Sequence, residues 1–430
     1  MFLHCAVAGA VAPGLGSTLA GLSLAGCAGG PAAPGRALGR VVVIGGGFGG
    51  ATAAKYLRMW SGGRIEVILV ERDSAFVSCP MSNLVLGGTR SMADLTRDYR
   101  GLRAHGVQVR HDEVTAIDPG KRMLRLRSGG DELSYDRLIM SPGVDFMVEE
   151  IEGLSVAAPD LVLHAWKAGV QTVALRRRLE SMPNGGVYVL SIPRAPYRCP
   201  PGPYERASQV AFYFKREKPR SKVIVLDANE DVVSKGALFK AAWSELYGSI
   251  LEYRPGTEVK RVTPASSSVH TDFDSIRGDV LNVLPPMRAG DICRTTGLAN
   301  ANSRWCGVDW MTMESTVHPG IHVLGDATQA ASAMPKSGHM ANQHAKIAAA
   351  AIVEIMSGRQ PSVDVVIANT CYSFVSDREA MHVASVHRYD NAQKTLVPVA
   401  GAGGLSAQRS EIEGVYAQAW AHNIWNDMFA

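Results

Sequence analysis

Arg40-Val41-Val42-Val43-Ile44-Gly45-Gly46-Gly47-Phe48-Gly49-Gly50 is a nearly continuous apolar strand running into a glycine turn. The helical stretch Ala51-Thr52-Ala53-Ala54-Lys55-Tyr56-Leu57 follows, then a second apolar strand, Ile65-Glu66-Val67-Ile68-Leu69-Val70, which ends at Glu71. Strand, turn, helix and strand in this order predict a βαβ unit, since strands buried on both faces read as unbroken apolar runs. Gly45, Gly47 and Gly50 stand in dinucleotide-binding spacing. The first permits the tight turn, the second lets a pyrophosphate approach the backbone, and the third lets helix and strand pack. Glu71 closes the second strand where an acid accepts hydrogen bonds from an adenosine ribose. The glycine spacing alone is weak, but strand, helix, strand and terminal acid together make it specific.

Two later stretches belong to the same unit. Tyr135-Asp136-Arg137-Leu138-Ile139-Met140-Ser141-Pro142-Gly143 reads as another buried strand closing in a tight turn, so Pro142 and Gly143 join the candidate cofactor residues. Far downstream, Gly320-Ile321-His322-Val323-Leu324-Gly325-Asp326-Ala327 reads as a strand ending in Gly-Asp before an Ala-rich helix, about Gly338 to Met356. In FAD proteins with two dinucleotide-binding domains, such a Gly-Asp binds the ribityl chain and the helix start faces the pyrimidine edge. Read by itself, Gly325-Asp326 is a strand-to-helix N-cap. The pieces predict an α/β protein whose FAD domain, 39–155 and 296–360, is split by a second Rossmann-like domain over 156–295. After Pro361, short strands at 369–373 and 379–387 and an aromatic helix at 416–425 predict a small α+β module, 361–430.

The inserted domain lacks a second nucleotide loop. Gly185-Gly186-Val187-Tyr188-Val189-Leu190-Ser191-Ile192-Pro193 reads as a buried strand, but it enters the turn Arg194-Ala195-Pro196-Tyr197-Arg198-Cys199-Pro200-Pro201-Gly202-Pro203. Four prolines there remove backbone donors that a phosphate needs, and no Gly-x-Gly is present. Cys199 stands where NAD(P)H would otherwise deliver hydride, which points to electrons from sulfur chemistry.

The 430 residues leave room for two or three domains. A hydrophobic content of 46%, 20% charged residues and a net charge of +4, with no arginine-rich run interleaved with aromatics, exclude a nucleic-acid binder. Residues 1–38 differ: they are apolar and small, without Lys or Arg before Arg36, and broken by Gly and Pro. They read as an export leader and linker rather than a membrane span, and imply a periplasmic protein with no span in its mature part. Leu24-Ala25-Gly26-Cys27 resembles a lipobox, making Cys27 a candidate lipid anchor. The positive n-region is missing, so the start lies upstream or the leader is degenerate. Export permits disulfides. Of seven cysteines, Cys5 and Cys27 lie in the leader, and Cys79, Cys199, Cys293, Cys306 and Cys371 remain. That odd number leaves at least one outside intramolecular disulfides. Cys293 and Cys306 read as structural. His318, His322, His339 and His344 have no Cys or carboxylate at ligand spacing, so no metal site is expected.

Four motifs carry a specific resemblance. Cys199-Pro200-Pro201-Gly202-Pro203-Tyr204-Glu205-Arg206-Ala207, Phe76-Val77-Ser78-Cys79-Pro80-Met81-Ser82-Asn83, Met334-Pro335-Lys336-Ser337-Gly338 and Asn369-Thr370-Cys371-Tyr372-Ser373 together resemble the flavoprotein subunit of flavocytochrome c sulfide dehydrogenase. The similarity runs from about Gly39 to the carboxyl terminus. It implies FAD bonded covalently through its 8α-methyl group to Cys79, and a redox-active Cys199–Cys371 disulfide beside the flavin. It also implies that the terminal module holds Cys371 and helps dock a c-type cytochrome. Pro80, directly after the thiol, departs from the best-known pattern. Lys336 and the following helix start are expected to stabilise negative charge on reduced flavin. Read without the resemblance, Cys79 is a small buried hydrophobe, Cys199 and Cys371 are inert thiols or a structural disulfide, and Lys336 is a surface charge.

The implied function is sulfide oxidation: HS⁻ opens the disulfide, FAD takes the electrons, and zero-valent or polysulfide sulfur leaves. No Cys-x-x-Cys-His occurs, so haem c must reside on a partner subunit. One alternative is a sulfide:quinone oxidoreductase. It needs an apolar amphipathic tail, and Glu411, Glu413, His422, Asn423 and Asp427 make this one polar. Another is a non-catalytic flavoprotein partner of a sulfur-oxidising complex.

Overall fold

The computed structural model describes residues 36–130, 132–155 and 161–430; the expected leader with Cys5 and Cys27 lies outside them. Strand β1 (Gly39–Ile44) turns through the glycines into α1 (Phe48–Trp60), and β2 (Ile65–Val70) returns parallel to β1 with Val70 opposite Ile44. Strands β3 (Gln108–Arg110) and β4 (Arg137–Met140) join the same layer. The chain then builds β5 (Val187–Ile192), α2 (Gly202–Glu217), β6 (Lys222–Asp227), α3 (Gly236–Tyr247), β7 (Leu251–Arg254) and β8 (Val280–Val283). It returns as β9 (Ile321–Val323) and α4 (Gly338–Met356), and ends with β10 (Val366–Phe374), β11 (Ala380–Asp390), β12 (Thr395–Pro398) and α5 (Glu411–Phe429).

The first sheet has the order β9-β4-β1-β2-β3, all parallel, and takes strands from both sides of the insertion. The inserted sheet, order β7-β6-β5-β8, is also parallel. Helices cover both faces of such sheets, so Val41, Val42 and Val43 are wholly buried and the strands show no polar alternation. The architecture is the expected α/β fold with a domain inserted into the first. The antiparallel pair Val144–Phe146 and Met287–Ala289 marks where the chain leaves and re-enters.

In the terminal module, β10 and β11 run nine and eleven residues in one antiparallel ladder, longer than the expected 369–373 and 379–387. Their alternating burial continues outward to Val366 and Tyr389, past the motif that marked them. Two three-stranded antiparallel sheets were not expected: Val114–Asp118, Met123–Leu126 and Glu132–Ser134, and Arg261–Thr263, Ser268–His270 and Ser275–Arg277. Strands of three to five residues are too short to impose a readable period.

Small residues let α4 press against α1. A Cβ on Gly49 would lie 3.4 Å from the Ala341 carbonyl, and Asn342 Nδ2 donates to Thr52 Oγ1 at 3.0 Å. Helix α5 closes the other side: Lys55 Nζ donates to the carbonyls of Asn426 and Asp427, and Trp425 Nε1 donates to Ser78 Oγ at 3.2 Å, one residue before Cys79. Among the described residues no helix is long and apolar enough to cross a membrane.

Candidate active site

The glycine turn is shaped for a ligand. Gly45 sits at φ +92°, where a Cβ would strike the Ser141 carbonyl at 2.3 Å, and a Cβ on Gly50 would lie 1.8 Å from the Gly45 carbonyl. A Cβ on Gly47 would meet nothing within 4 Å, and no side chain caps the α1 N-terminus there. The open, donor-rich helix start suits a pyrophosphate. Glu71 closes β2 with its carboxylate accepting from Gly46 N (2.6 Å) and Asp73 N (2.8 Å), which fixes an acid beside the turn. Pro142 and Gly143 shape the neighbouring turn: Gly143 takes φ +70°, and its carbonyl accepts from Gly290 N at 3.1 Å. At the far end, Gly325 takes φ +66° and Asp326 Oδ1 is buried with no protein partner. A buried orphan acceptor is an unmet hydrogen bond, which a ribityl hydroxyl supplies. This donor and acceptor set fits FAD.

Three thiols share one neighbourhood: Arg198 is within electrostatic range of Cys79 and Cys199, and Cys199 of Cys371. Cys79 is half-buried; its Sγ accepts from Ala168 N at 3.5 Å, while Ser82 Oγ donates to its carbonyl at 2.6 Å. The Pro80 that departs from the family pattern is held by a 2.9 Å bond from Ser78 Oγ to its carbonyl. Cys199 stands in the left-handed region at φ +57°, its N–H donating to the Lys336 carbonyl at 2.8 Å. Cys371 projects from β10, where Asn369 Nδ2 donates to Sγ at 3.4 Å; Ser337 Oγ in turn donates to Asn369 Oδ1 at 2.7 Å. All five described cysteines carry free thiols.

The Cys199 thiol lies within electrostatic range of Cys371, Glu205, Arg198 and Lys235. Burial pushes it well above the usual thiol range, with Cys371 and Glu205 adding. Burial raises Cys371 too, against Lys235, Asn369 and Ser337, and Glu205 adds to the rise.

Several site residues escaped the sequence reading. Burial lowers the Arg198 pKa, but Cys79, Asp326 and Cys199 together raise it, so this guanidinium lies within electrostatic range of two thiols and Asp326. The Glu205 carboxyl is buried between Asn83 Nδ2 (2.8 Å) and Phe374 N (2.8 Å), and burial raises its pKa. Glu205 lies within the Cys199–Ala207 motif and Arg198 just before it, whereas no motif marks Lys235. Lys336 is only 6% exposed, so the surface-charge alternative fails. Its Nζ donates to the carbonyls of Asp326 (3.0 Å) and Thr328 and lies 3.7 Å from the Trp305 ring centroid, and burial pulls its pKa down to about 8.

The place of a second nucleotide is filled by protein. Asp227, the acid that ends β6, is wholly buried and accepts from Tyr204 Oη (2.8 Å) and Tyr253 Oη (2.9 Å). Pro203 occupies the first turn of α2. Cys293 and Cys306 are fully buried with their side chains in hydrogen-bond contact, in the core beneath Trp305. His318, His322, His339 and His344 each pair with a backbone group. Among the described residues no group of three His, Cys, Asp or Glu side chains is placed to hold a metal.

Comparison with known proteins agrees with this geometry. Residues 39–182 match the family model described as pyridine nucleotide-disulphide oxidoreductase. Residues 172–285 match sulfide dehydrogenase [flavocytochrome c] flavoprotein chain, central, and 363–429 match flavocytochrome c sulphide dehydrogenase, flavin-binding. The chain is 63% identical over 46 residues to a flavocytochrome c sulfide dehydrogenase flavoprotein chain from Chlorobaculum thiosulfatiphilum, 11% of this chain and 94% of that sequence. It is 25% identical over 311 residues to mitochondrial sulfide:quinone oxidoreductase of Mus musculus, 67% of this chain but only 65% of the relative's length. Sulfide:quinone oxidoreductase from Aquifex aeolicus shares the fold, with a TM-score of 0.72 at 17% identity over 90% of this chain and 91% of that one.

Proposed function

The chain belongs to the flavoprotein family of flavocytochrome c sulfide dehydrogenase, and from that premise we propose that it oxidises sulfide through Cys199, Cys371 and FAD. The observation that carries the reading is the gathering of Cys199 and Cys371 with Arg198 and Glu205 at the electron-entry side, while protein fills the second nucleotide site. HS⁻ bonds to one sulfur of the Cys199–Cys371 disulfide, the S–S bond breaks, and the other sulfur leaves as thiolate. Over the cycle HS⁻ gives up two electrons and a proton and departs as zero-valent or polysulfide sulfur. Bound FAD supplies the two-electron acceptor that restores the disulfide and passes electrons on singly.

The chain's residues do the rest. Gly45, Gly47, Gly50 and Glu71 bind the adenosine and pyrophosphate half, Pro142 and Gly143 shape the adjoining turn, and Asp326 takes a ribityl hydroxyl. Cys79 tethers the dimethylbenzene end, and Lys336 holds positive charge near the pyrimidine edge. Electrons pass to haem c on a partner cytochrome in the periplasm, with export, and lipidation at Cys27, as part of the proposal. The sulfide:quinone relatives favour a second acceptor, quinone. Anaerobic sulfide titration of the purified flavoprotein, followed by added cytochrome c, quinone or NADH, tests the reading. Sulfide should bleach the flavin and cytochrome should reoxidise it. Bleaching by NADH but not by sulfide overturns the proposal, and turnover with quinone alone replaces the acceptor.

A further inference from the structure

Lys235 occupies a position unfavourable to lysine in three ways. It is 4% exposed, its backbone lies in the left-handed region at φ +59°, and it caps the N-terminus of α3, where the helix dipole repels a cation. Its ammonium makes three bonds, none to a carboxylate: to the Cys371 carbonyl at 2.9 Å, Ser373 Oγ at 2.8 Å and the Met381 carbonyl at 3.3 Å. A loop of the inserted domain thus plants a buried cation on the strand that bears a site thiol. Burial pulls the Lys235 pKa down to about 8, and the charge that most offsets this is Cys371, ahead of Glu205, Cys199 and Glu413.

The two thiols are served unequally. Burial and Glu205 oppose a thiolate at Cys371 as well, but its Sγ has the Asn369 amide as donor and Lys235 as the foremost influence in its favour. Around Cys199, burial, Cys371 and Glu205 all oppose a thiolate and outweigh Arg198 and Lys235. The walls there are close: a Cβ on Gly202 would lie 2.8 Å from Cys199 Sγ and 2.7 Å from the Trp166 ring.

Resting on the sulfide-oxidising reading, we propose that Lys235 is the fixed counter-cation of the Cys371 sulfur, a positioning residue that decides which end of the disulfide sulfide attacks. HS⁻ bonds to Cys199 Sγ, the S–S bond breaks, and the electron pair leaves on Cys371 Sγ, in the residue whose carbonyl the ammonium holds. The proton of HS⁻ stays on the added sulfur, and FAD is the oxidant that later restores the disulfide. The opposite polarity leaves the thiolate on Cys199, where the surroundings disfavour it.

The test is alkylation of the reduced, full-length flavoprotein across pH, with the Cys199 and Cys371 peptides read separately by mass spectrometry. Cys371 should react at lower pH than Cys199. Lys235→Met should raise the Cys371 midpoint by about one pH unit or more and lower sulfide turnover by roughly tenfold or more. When the oxidised, disulfide form is given one equivalent of sulfide and quenched with alkylating agent, the extra sulfur should sit on the Cys199 peptide. Flavin absorbance and far-UV circular dichroism establish that the variant is folded; where it does not fold, the order of the two thiols in the parent protein decides the matter. Cys199 reacting at the lower pH, or extra sulfur on Cys371, overturns the proposal. So does a folded variant with an unchanged Cys371 profile, the result a purely structural clip would give, as Lys218 makes to the carbonyls of Glu180 and Met182. Failure of the sulfide reading looks different: sulfide leaves the flavin oxidised while the order of the thiols still holds.

Discussion

In the proposed cycle Cys79, Cys199 and Cys371 divide the chemistry among three sulfurs, and single-atom replacements separate their roles. Cys199→Ser and Cys371→Ser each remove one half of the disulfide while keeping volume. Each should lower sulfide-dependent bleaching by on the order of 10³-fold or more yet leave FAD bound, as stopped-flow absorbance and the flavin-to-protein ratio report. Activity retained in either variant defeats the disulfide mechanism. Cys79→Ser should instead turn over more slowly while releasing its flavin on acid precipitation, where the parent retains it. A parent that also releases its flavin disproves the covalent bond. These thiols were legible because they stand in quoted motifs. Lys235 was not: a lysine before Gly236 carries no sequence signal, and only the fold brings it to β10, more than a hundred residues onward.

Among the elements, the parallel strands were legible and the small antiparallel ones were not. Burial on both faces writes itself as Val41-Val42-Val43-Ile44 or Val187–Ile192, whereas Glu132–Ser134 leaves three residues with one apolar position between two exposed ones. The glycine turn was readable for a steric reason that also yields a prediction. With a Cβ on Gly50 only 1.8 Å from the Gly45 carbonyl, Gly50→Ala must shift backbone at the pyrophosphate site. It should purify with little flavin and regain little on soaking with FAD; normal flavin content argues against this turn as the cradle. The filled second site predicts a contrasting result. Asp227→Ala removes the acceptor shared by Tyr204 and Tyr253 and should cost about 1–3 kcal/mol of stability by denaturant unfolding, without conferring NADH oxidation.

At the scale of the whole molecule, buried histidines set the acid limit and the terminal module offers an exposed apolar face. Burial lowers His322 from 6.5 to about 4 and His344 from 6.5 to about 3. Between those values and 6.5 the unfolded chain binds protons that the folded chain refuses, so stability falls as pH drops through this window. Thermal midpoints should decline from pH 7 to 4, and His322→Gln should flatten the decline. The partner was legible only as a need: the chain carries a two-electron donor site and no haem motif, while the surface that meets the acceptor has no sequence signature. The fold offers a candidate, and it corrects the expectation of a uniformly polar tail. On α5, Ile412, Val415 and Tyr416 recur at helical spacing and are 54%, 59% and 52% exposed, and Leu405 nearby is 57% exposed. The opposite face of the helix carries Trp425 against Ser78, one residue before Cys79. A cytochrome seated on the outer face would therefore lie across α5 from Cys79, the proposed point of flavin attachment. Val415→Glu buries a charge in that contact and should slow sulfide-driven cytochrome reduction by about tenfold or more. Anaerobic bleaching of the flavin by sulfide should not change, since no thiol or cofactor group is touched. Equal loss of both steps would mean that the fold has been damaged, and no loss of either would move the cytochrome to another face.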